Sequence, residues 1–336
     1  MWKWIHLALF VAVTVYAFRL FVHVIHTRYL FMRLGKPSQD PPNRKERIRA
    51  VLVNVFGQRK LFKDARSGIF HLVLFYGFFI LQAGFVELIL KGFIEGYEYP
   101  LGAGHKVFSL LQEWTVFLTL LAVLYAAYRR YGEKLTRLQW KRDGKAAFVY
   151  IALTVLTVSI FLALGFERVM LSREPDFVHA PFSGVVTALF AGIGKTAGAM
   201  LFYVFWWVHV LIVYSFMVFV PQSKQAHELF AIFNVFFKKP EPAGRLRKID
   251  FGDEGAEEFG VGKIEDFTRR QLIDLYACVE CGRCTAACPA TGSGKTLSPM
   301  HLILKLRDHL TEKGAAVTSR TPWMPAFAMA NAAANR

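Results

Sequence analysis

Long apolar runs separated by short polar ones dominate the first two thirds of the chain. A membrane-crossing helix needs about 20 mostly apolar residues, and five stretches meet that length: Ile5–Ile25, Ile69–Leu90, Val107–Tyr128, Ala146–Phe166 and Met200–Val220. A sixth run, Gly184–Gly198, is weakly apolar and rich in glycine. It reads as a helix lying at the outer interface rather than as a span. Residues 239–262 are polar, with Pro240 and Pro242, and read as a linker. A cysteine module follows over residues 263–314, and its Leu302, Ile303, Leu306 and Leu310 recur at helical spacing. The Ala-rich residues 315–336 read as the start of a continuation that is cut short. The N-terminal run lacks a small-residue cleavage site, so it is expected to be a retained span.

Charge gives the spans a direction. The net charge is +16 and hydrophobic residues make up 54%. In a soluble protein such a balance would suggest nucleic acid, but here the basic residues gather in two loops. One carries Arg28, Arg33, Lys36, Arg44, Lys45, Arg47 and Arg49, and the other Arg129, Arg130, Lys134, Arg137, Lys141 and Arg142. The positive-inside rule then places the N-terminus outside and everything after the fifth span in the cytoplasm of a bacterial or archaeal plasma membrane. Membrane lipid is the implied partner, and nucleic acid is not.

The candidate chemistry sits in the four cysteines, all between Cys278 and Cys288. Cys278, Cys281, Cys284 and Cys288-Pro289 follow the spacing C-x2-C-x2-C-x3-C-P, a [4Fe–4S] signature. Thiolates at every third position let one loop wrap several corners of a cubane, and Gly282 and Ala286 let the backbone come close. A zinc site would carry two separated pairs. Two readings of Cys288 stand: it closes one cluster, or it serves a second whose other ligands lie elsewhere.

Ionisable residues inside spans are functional candidates. His209 in the fifth span and His227 after it are eighteen residues apart. On a continuous helix they would share a face about 27 Å apart along the axis, as two stacked sites would. His71, near the cytoplasmic end of the second span, matches the depth of His227, and the two are expected to bind one haem b. His209 is a candidate for a second haem. Leu81 stands in the second span where a partner would be wanted, and His105 is the remaining guess. His6, His23 and His26 read as packing or interfacial residues.

These residues carry a resemblance. The five spans, with Gly68-Ile-Phe-His71 and the His209/His227 pair, resemble the nitrate reductase gamma-subunit type of cytochrome b. The run Asn234-Val-Phe-Phe, Phe259-Gly260, Asp266-Phe267, Cys281-Gly-Arg-Cys284, Cys288-Pro289-Ala290 and Lys295-Thr-Leu-Ser-Pro299 resembles membrane proteins that fuse such a cytochrome to a heterodisulfide-reductase-like iron–sulfur half, of the electron-transfer-flavoprotein:menaquinone oxidoreductase type. The resemblance implies an all-α membrane protein, a five-helix cytochrome b bundle with a cytoplasmic α-helical ferredoxin-like module. It implies a quinone-linked oxidoreductase that passes electrons between a cytoplasmic donor and menaquinone through a [4Fe–4S] cluster and haem b. The donor would be electron-transfer flavoprotein reduced in acyl-CoA oxidation, or another cytoplasmic redox protein. Family members continue into further cysteine-rich domains. Two alternatives are a subunit of a heterodisulfide- or sulfite-reduction complex, and a non-catalytic membrane anchor or redox sensor.

Overall fold

A computed structural model describes residues 2–38, 43–133, 135, 144–238, 252 and 260–320. The linker expected at 239–262 and the end of the Ala-rich tail fall largely outside the described residues. Among them there is helix throughout and no named strand, only an isolated parallel bridge between Lys36 and Thr268.

The helices are α1 (Trp2–Met32), α2 (Arg44–Val51), α3 (Ala65–Lys91), α4 (Gly104–Tyr131), α5 (Gly144–Met170), α6 (Pro181–Phe190), α7 (Gly194–Phe219), α8 (His227–Phe236), α9 (Arg269–Tyr276), α10 (Arg283–Ala286), α11 (Pro289–Gly292) and α12 (Pro299–Thr318). Among the described residues five segments are long and apolar enough to cross a membrane, and they contain the five runs expected from the sequence. Their outer faces leave Trp4, Val15, Ile69, Phe78, Val107, Leu121, Ile151 and Val204 exposed. Water would penalise such faces, whereas hydrocarbon does not.

The weakly apolar run Gly184–Gly198 is divided rather than forming one element: Gly194–Gly198 opens α7, Ala191–Ile193 is a 3-10 turn, and Gly184–Phe190 belongs to α6, of ten residues. At 1.5 Å per residue α6 is about 15 Å long, too short to cross. Its first turn is held by Glu113, which accepts hydrogen bonds from the Phe182 and Ser183 amides at 2.7 and 3.2 Å. Gly194, at φ +81°, ψ 163°, adopts a backbone that side chains disfavour and divides α6 from α7.

The chain forms two compact units. The first contains Met1–Thr14 and Leu61–Phe216, the second Val15–Lys60 and Met217–Arg336. In the first, Leu88, Ala163, Phe166, Phe202, Trp206 and Val210 form the core. Trp206 donates its indole N–H to the Leu88 carbonyl at 2.7 Å, and a Cβ at Gly92 would meet the Trp206 ring at 2.4 Å, so α3 and α7 approach closely there.

In the second unit the cysteine module shares its core with the end of α1. Phe31 is fully buried with Ala226, Phe230, Ile264, Leu272, Leu275, Tyr276 and Leu310. Arg28 donates to Thr311 Oγ1 at 2.9 Å and to Tyr276 Oη at 3.2 Å. Lys36 exchanges backbone hydrogen bonds with Phe267 and Arg269, each 2.9 Å. Gly35 abuts this bridge: a Cβ there would stand 2.6 Å from the Phe267 carbonyl oxygen and 2.8 Å from Leu272 Cδ1. Gly35→Ala is therefore expected to destabilise the second unit by about 1–3 kcal/mol through overpacking. A lower midpoint for thermal bleaching of iron–sulfur absorbance, with apolar-helix content unchanged by circular dichroism, is the measurement.

The expectation that one helix carries both His209 and His227 is not met. α7 ends at Phe219, and two 3-10 turns, Val220–Gln222 and Lys224–Ala226, follow around an extended Ser223 (φ −116°, ψ −177°). Pro221 has no N–H to continue the α-helical ladder. His227 instead opens α8, so the equal-face and 27 Å arguments lapse.

Candidate functional site

The iron–sulfur loop is assembled by local rules. α9 begins with a reciprocal cap, Thr268 accepting from the Gln271 amide while the Gln271 side chain accepts from the Thr268 amide. It ends at Tyr276, two residues before Cys278. The backbone then turns through two left-handed residues, Glu280 (φ +57°) and Gly282 (φ +70°). The strained one is Glu280, since a side chain disfavours that region. Arg307 on α12 secures it: Nη2 donates to Glu280 Oε1 at 2.6 Å, and Nη1 to the Cys278 carbonyl at 3.5 Å. From α10, Thr285 Oγ1 accepts from the Met300 amide at 3.1 Å and lies 3.0 Å from Ser298 Oγ. α12 is thus fastened to both ends of the loop. None of Glu280, Thr285 or Arg307 carries a signal in the spacing of the cysteines.

Cys278, Cys281 and Cys288 are half-buried, and Cys284 is exposed. Burial pushes the Cys278 thiol up. Hydrogen bonds from Thr291, backbone first, and from the Ala290 amide hold the Cys288 thiol below its ordinary value. Among the described residues no set of three or more His, Cys, Asp or Glu is drawn together as a metal cage. The donor set nevertheless fits a cubane: thiolates alone, on a loop made of left-handed turns, with backbone N–H groups aimed at a sulfur.

The histidines divide by what holds their rings. His209 is buried. Its Nδ1 lies 3.1 Å from the Leu156 carbonyl and 3.0 Å from Ser159 Oγ, while Ser159 Oγ itself donates to Leu156 O at 2.9 Å. A carbonyl can only accept, so Nδ1 carries the proton and the lone pair is on Nε2, the tautomer a haem ligand needs. His227 repeats the device, with Nδ1 at 3.0 Å from the Lys224 carbonyl. Burial lowers its imidazole pKa, against the smaller opposing effect of that hydrogen bond, so the ring is neutral at pH 7.

His71 lies less than two turns into α3, whose start is pinned. The Asp64 side chain caps Ser67 N at 3.2 Å, and Arg129 Nη1 donates to Ser67 Oγ at 2.6 Å. His71 belongs to the first unit and His227 to the second. His105 is held differently from a ligand: Nε2 is 3.1 Å from Glu87 Oε1, and Nδ1 is 3.5 Å from Glu98 Oε2. Both ring nitrogens face carboxylates, which leaves no donor for the haem role guessed for it. His6 packs among Trp2, Phe93, Tyr203, Trp206 and Trp207, in keeping with a packing residue.

Residues 269–290 match the family model described as 4Fe-4S binding domain. Over 328 residues, 98% of the chain, the sequence is 51% identical to "Probable iron-sulfur-binding oxidoreductase FadF" of Bacillus subtilis, of which it covers 46%. Over 280 residues, 80% of the chain, it is 28% identical to "EtfAB:quinone oxidoreductase" of Syntrophomonas wolfei, covering 38% of that protein. A stretch of 58 residues, 17% of the chain, is 47% identical to "Probable membrane-anchored ferredoxin" of Chromohalobacter salexigens, of which it covers 8%. No solved structure matches. The chain spans less than half the length of each of these relatives. It is thus similar along nearly all of its own length to part of an iron–sulfur-binding oxidoreductase, and along most of it to part of an EtfAB:quinone oxidoreductase.

Proposed function

We propose that this chain is the membrane and first iron–sulfur portion of an oxidoreductase that passes electrons between a soluble flavoprotein donor and menaquinone. The observation that carries the reading is the union in one chain of a four-cysteine loop matching a 4Fe-4S domain and five helices long and apolar enough to cross a membrane. The name of the Syntrophomonas relative pairs EtfAB with quinone, which supports a flavoprotein donor and a quinone acceptor, and menaquinone rests on the resemblance read from the sequence.

Cys278, Cys281, Cys284 and Cys288 would hold the [4Fe–4S] cluster, and His71 and His227 the axial positions of haem b, a pairing that rests on the sequence. His209 would ligate a second haem. Cluster and haem supply one-electron transfer when bound. The chain's own part is to hold the thiolates with turn backbone and amides, to present Nε2 of His209 and His227 by fixing Nδ1, and to exclude water with aromatic side chains such as Phe85 and Trp206. The basic loops favour a cytoplasmic site for the cysteine module, since the segment after α7 falls on their side of the membrane.

The test is reoxidation. The whole protein, purified in detergent, would be reduced with dithionite under anaerobic conditions and freed of reductant. Short-chain menaquinone should then return the visible and paramagnetic signals to their oxidised forms within seconds, and reduced EtfAB should re-reduce them. Signals that stay reduced in the presence of menaquinone would exclude the reading.

A further inference from the structure

At the end of the bundle opposite the basic loops, the first unit buries a set of ionisable side chains that electron transfer leaves unused. Lys91 Nζ is 3.0 Å from Glu167 Oε2 and 3.4 Å from Glu87 Oε1. Side-chain exposure is 5% for Lys91, 5% for Glu167 and 8% for Glu87. Two buried carboxylates against one ammonium leave a negative charge in excess. A buried charge left without a full partner is unfavourable, so the arrangement is one that gains from an ionisable neighbour.

His105 is that neighbour. Its Nε2 lies 3.1 and 3.2 Å from the two oxygens of Glu87, and its Nδ1 faces Glu98 at 3.5 Å. Imidazole is the side chain that can take a proton on one nitrogen and release another from the second. Glu98 is paired with Arg173 at 2.5 Å, and these two are 39% and 40% exposed, against 13% for His105. Burial therefore rises step by step from Glu98 through His105 to Glu87.

The inner end reaches the depth of the candidate redox residue. Glu87 lies on α3 between Phe85, whose ring is 6.0 Å from the His209 ring, and Leu88, whose carbonyl accepts from Trp206. One turn deeper, Gln112 donates to the Ile80 carbonyl at 2.9 Å beside Gly84. Tyr99 also borders the path, its hydroxyl donating to the Ala83 carbonyl at 2.9 Å.

We propose that Glu98, His105 and Glu87 form a proton path between the face opposite the basic loops and a quinone site at the depth of His209, with Lys91 and Glu167 holding its inner end. The inference rests on the quinone reading above. A quinone that gains electrons gains an equal number of protons and a quinol that is oxidised releases them, so the site needs such a path in either direction. A salt-bridge cluster serving only to tie α3, α4 and α5 together would hold His105 between its carboxylates without passing protons.

The experiment uses the whole protein in detergent. Its centres are reduced and then mixed with short-chain menaquinone in H2O and in D2O from pH 6 to 9. Glu87→Gln keeps the shape of the side chain, and Lys91 retains Glu167. It should assemble normal haem and cluster spectra and be reduced at the wild-type rate. Quinone-dependent reoxidation should slow at least ~10-fold, with a larger solvent isotope effect. Glu98→Gln, at the exposed end, perturbs folding least and should show the same change in smaller measure above pH 7. Glu95→Gln, at the exposed Lys3–Glu95 pair, should match the wild type. Wild-type rates and isotope effects in both Glu87→Gln and Glu98→Gln would overturn the path while leaving the quinone reading intact. A wild-type protein that menaquinone does not reoxidise would remove both.

Discussion

Cys281→Ser should abolish the paramagnetic signal of a reduced [4Fe–4S] centre and leave the haem absorption of the same preparation in place. Cys281 lies between the two left-handed residues, Glu280 and Gly282, at the point where the chain doubles back. A serine hydroxyl there is a poor iron ligand at neutral pH, and no other thiol of the four is spare if Cys288 closes the cluster. The loss should be nearly complete in iron and sulfide content. Arg307→Leu provides the contrast. It removes the clamp on Glu280 and on the Cys278 carbonyl but no ligand. The cluster should form and then be lost faster under oxygen or chelator, because a buried charge-assisted hydrogen bond contributes about 1.5–3 kcal/mol. Unchanged iron and sulfide in Cys281→Ser would refute the cluster assignment.

How far the chain could be read in advance depended on whether the signal was local. Apolar runs located the five segments that, among the described residues, are long and apolar enough to cross a membrane, because hydrocarbon asks only for length and hydrophobicity. The run Gly184–Gly198 was legible as something other than a span because it is weakly apolar and rich in glycine, but its division at Gly194 between α6 and α7 was not. The break after α7 was half visible. Pro221 is in the sequence, but the extended Ser223 and the two flanking 3-10 turns decide that the helix stops rather than kinks. What stayed hidden is long-range. Arg28 meets Tyr276 and Thr311 across 248 and 283 residues, and Phe31 completes a core built from the module. No periodicity within a span marks one of its residues for a partner that distant. The ionisable cluster was hidden for a related reason. Glu87, Lys91 and Glu167 stand at the ends of long apolar runs and His105 at the start of another, positions far apart in the sequence. Only the packing of α3, α4 and α5 shows that they meet out of water. The signal available was the Glu87/Lys91 pair, an i,i+4 couple that faces one direction on a helix.

The haem ligands give the remaining prediction of large effect. Three histidines are candidates, and each should lose its haem component outright when replaced by alanine, since low-spin haem b needs both axial nitrogens. From the sequence, His71 and His227 are proposed for one haem. His71→Ala and His227→Ala should then give the same spectral defect, and the double variant should be no worse than either single. That non-additivity is the mark of one shared site. His209→Ala should spare this component and remove a different one. Fixation of the ring offers an independent check that does not remove a ligand. Ser159→Ala takes away the hydroxyl 3.0 Å from His209 Nδ1 but leaves the Leu156 carbonyl at 3.1 Å. Nε2 keeps its lone pair, so haem should still bind while its orientation and midpoint potential shift. Redox-titrated visible spectra of the variants decide the matter. A component lost in both His71→Ala and His209→Ala, with His227→Ala silent, would reassign the pair to α3 and α7. A Ser159→Ala protein with an unmoved potential would show that His209 carries no haem.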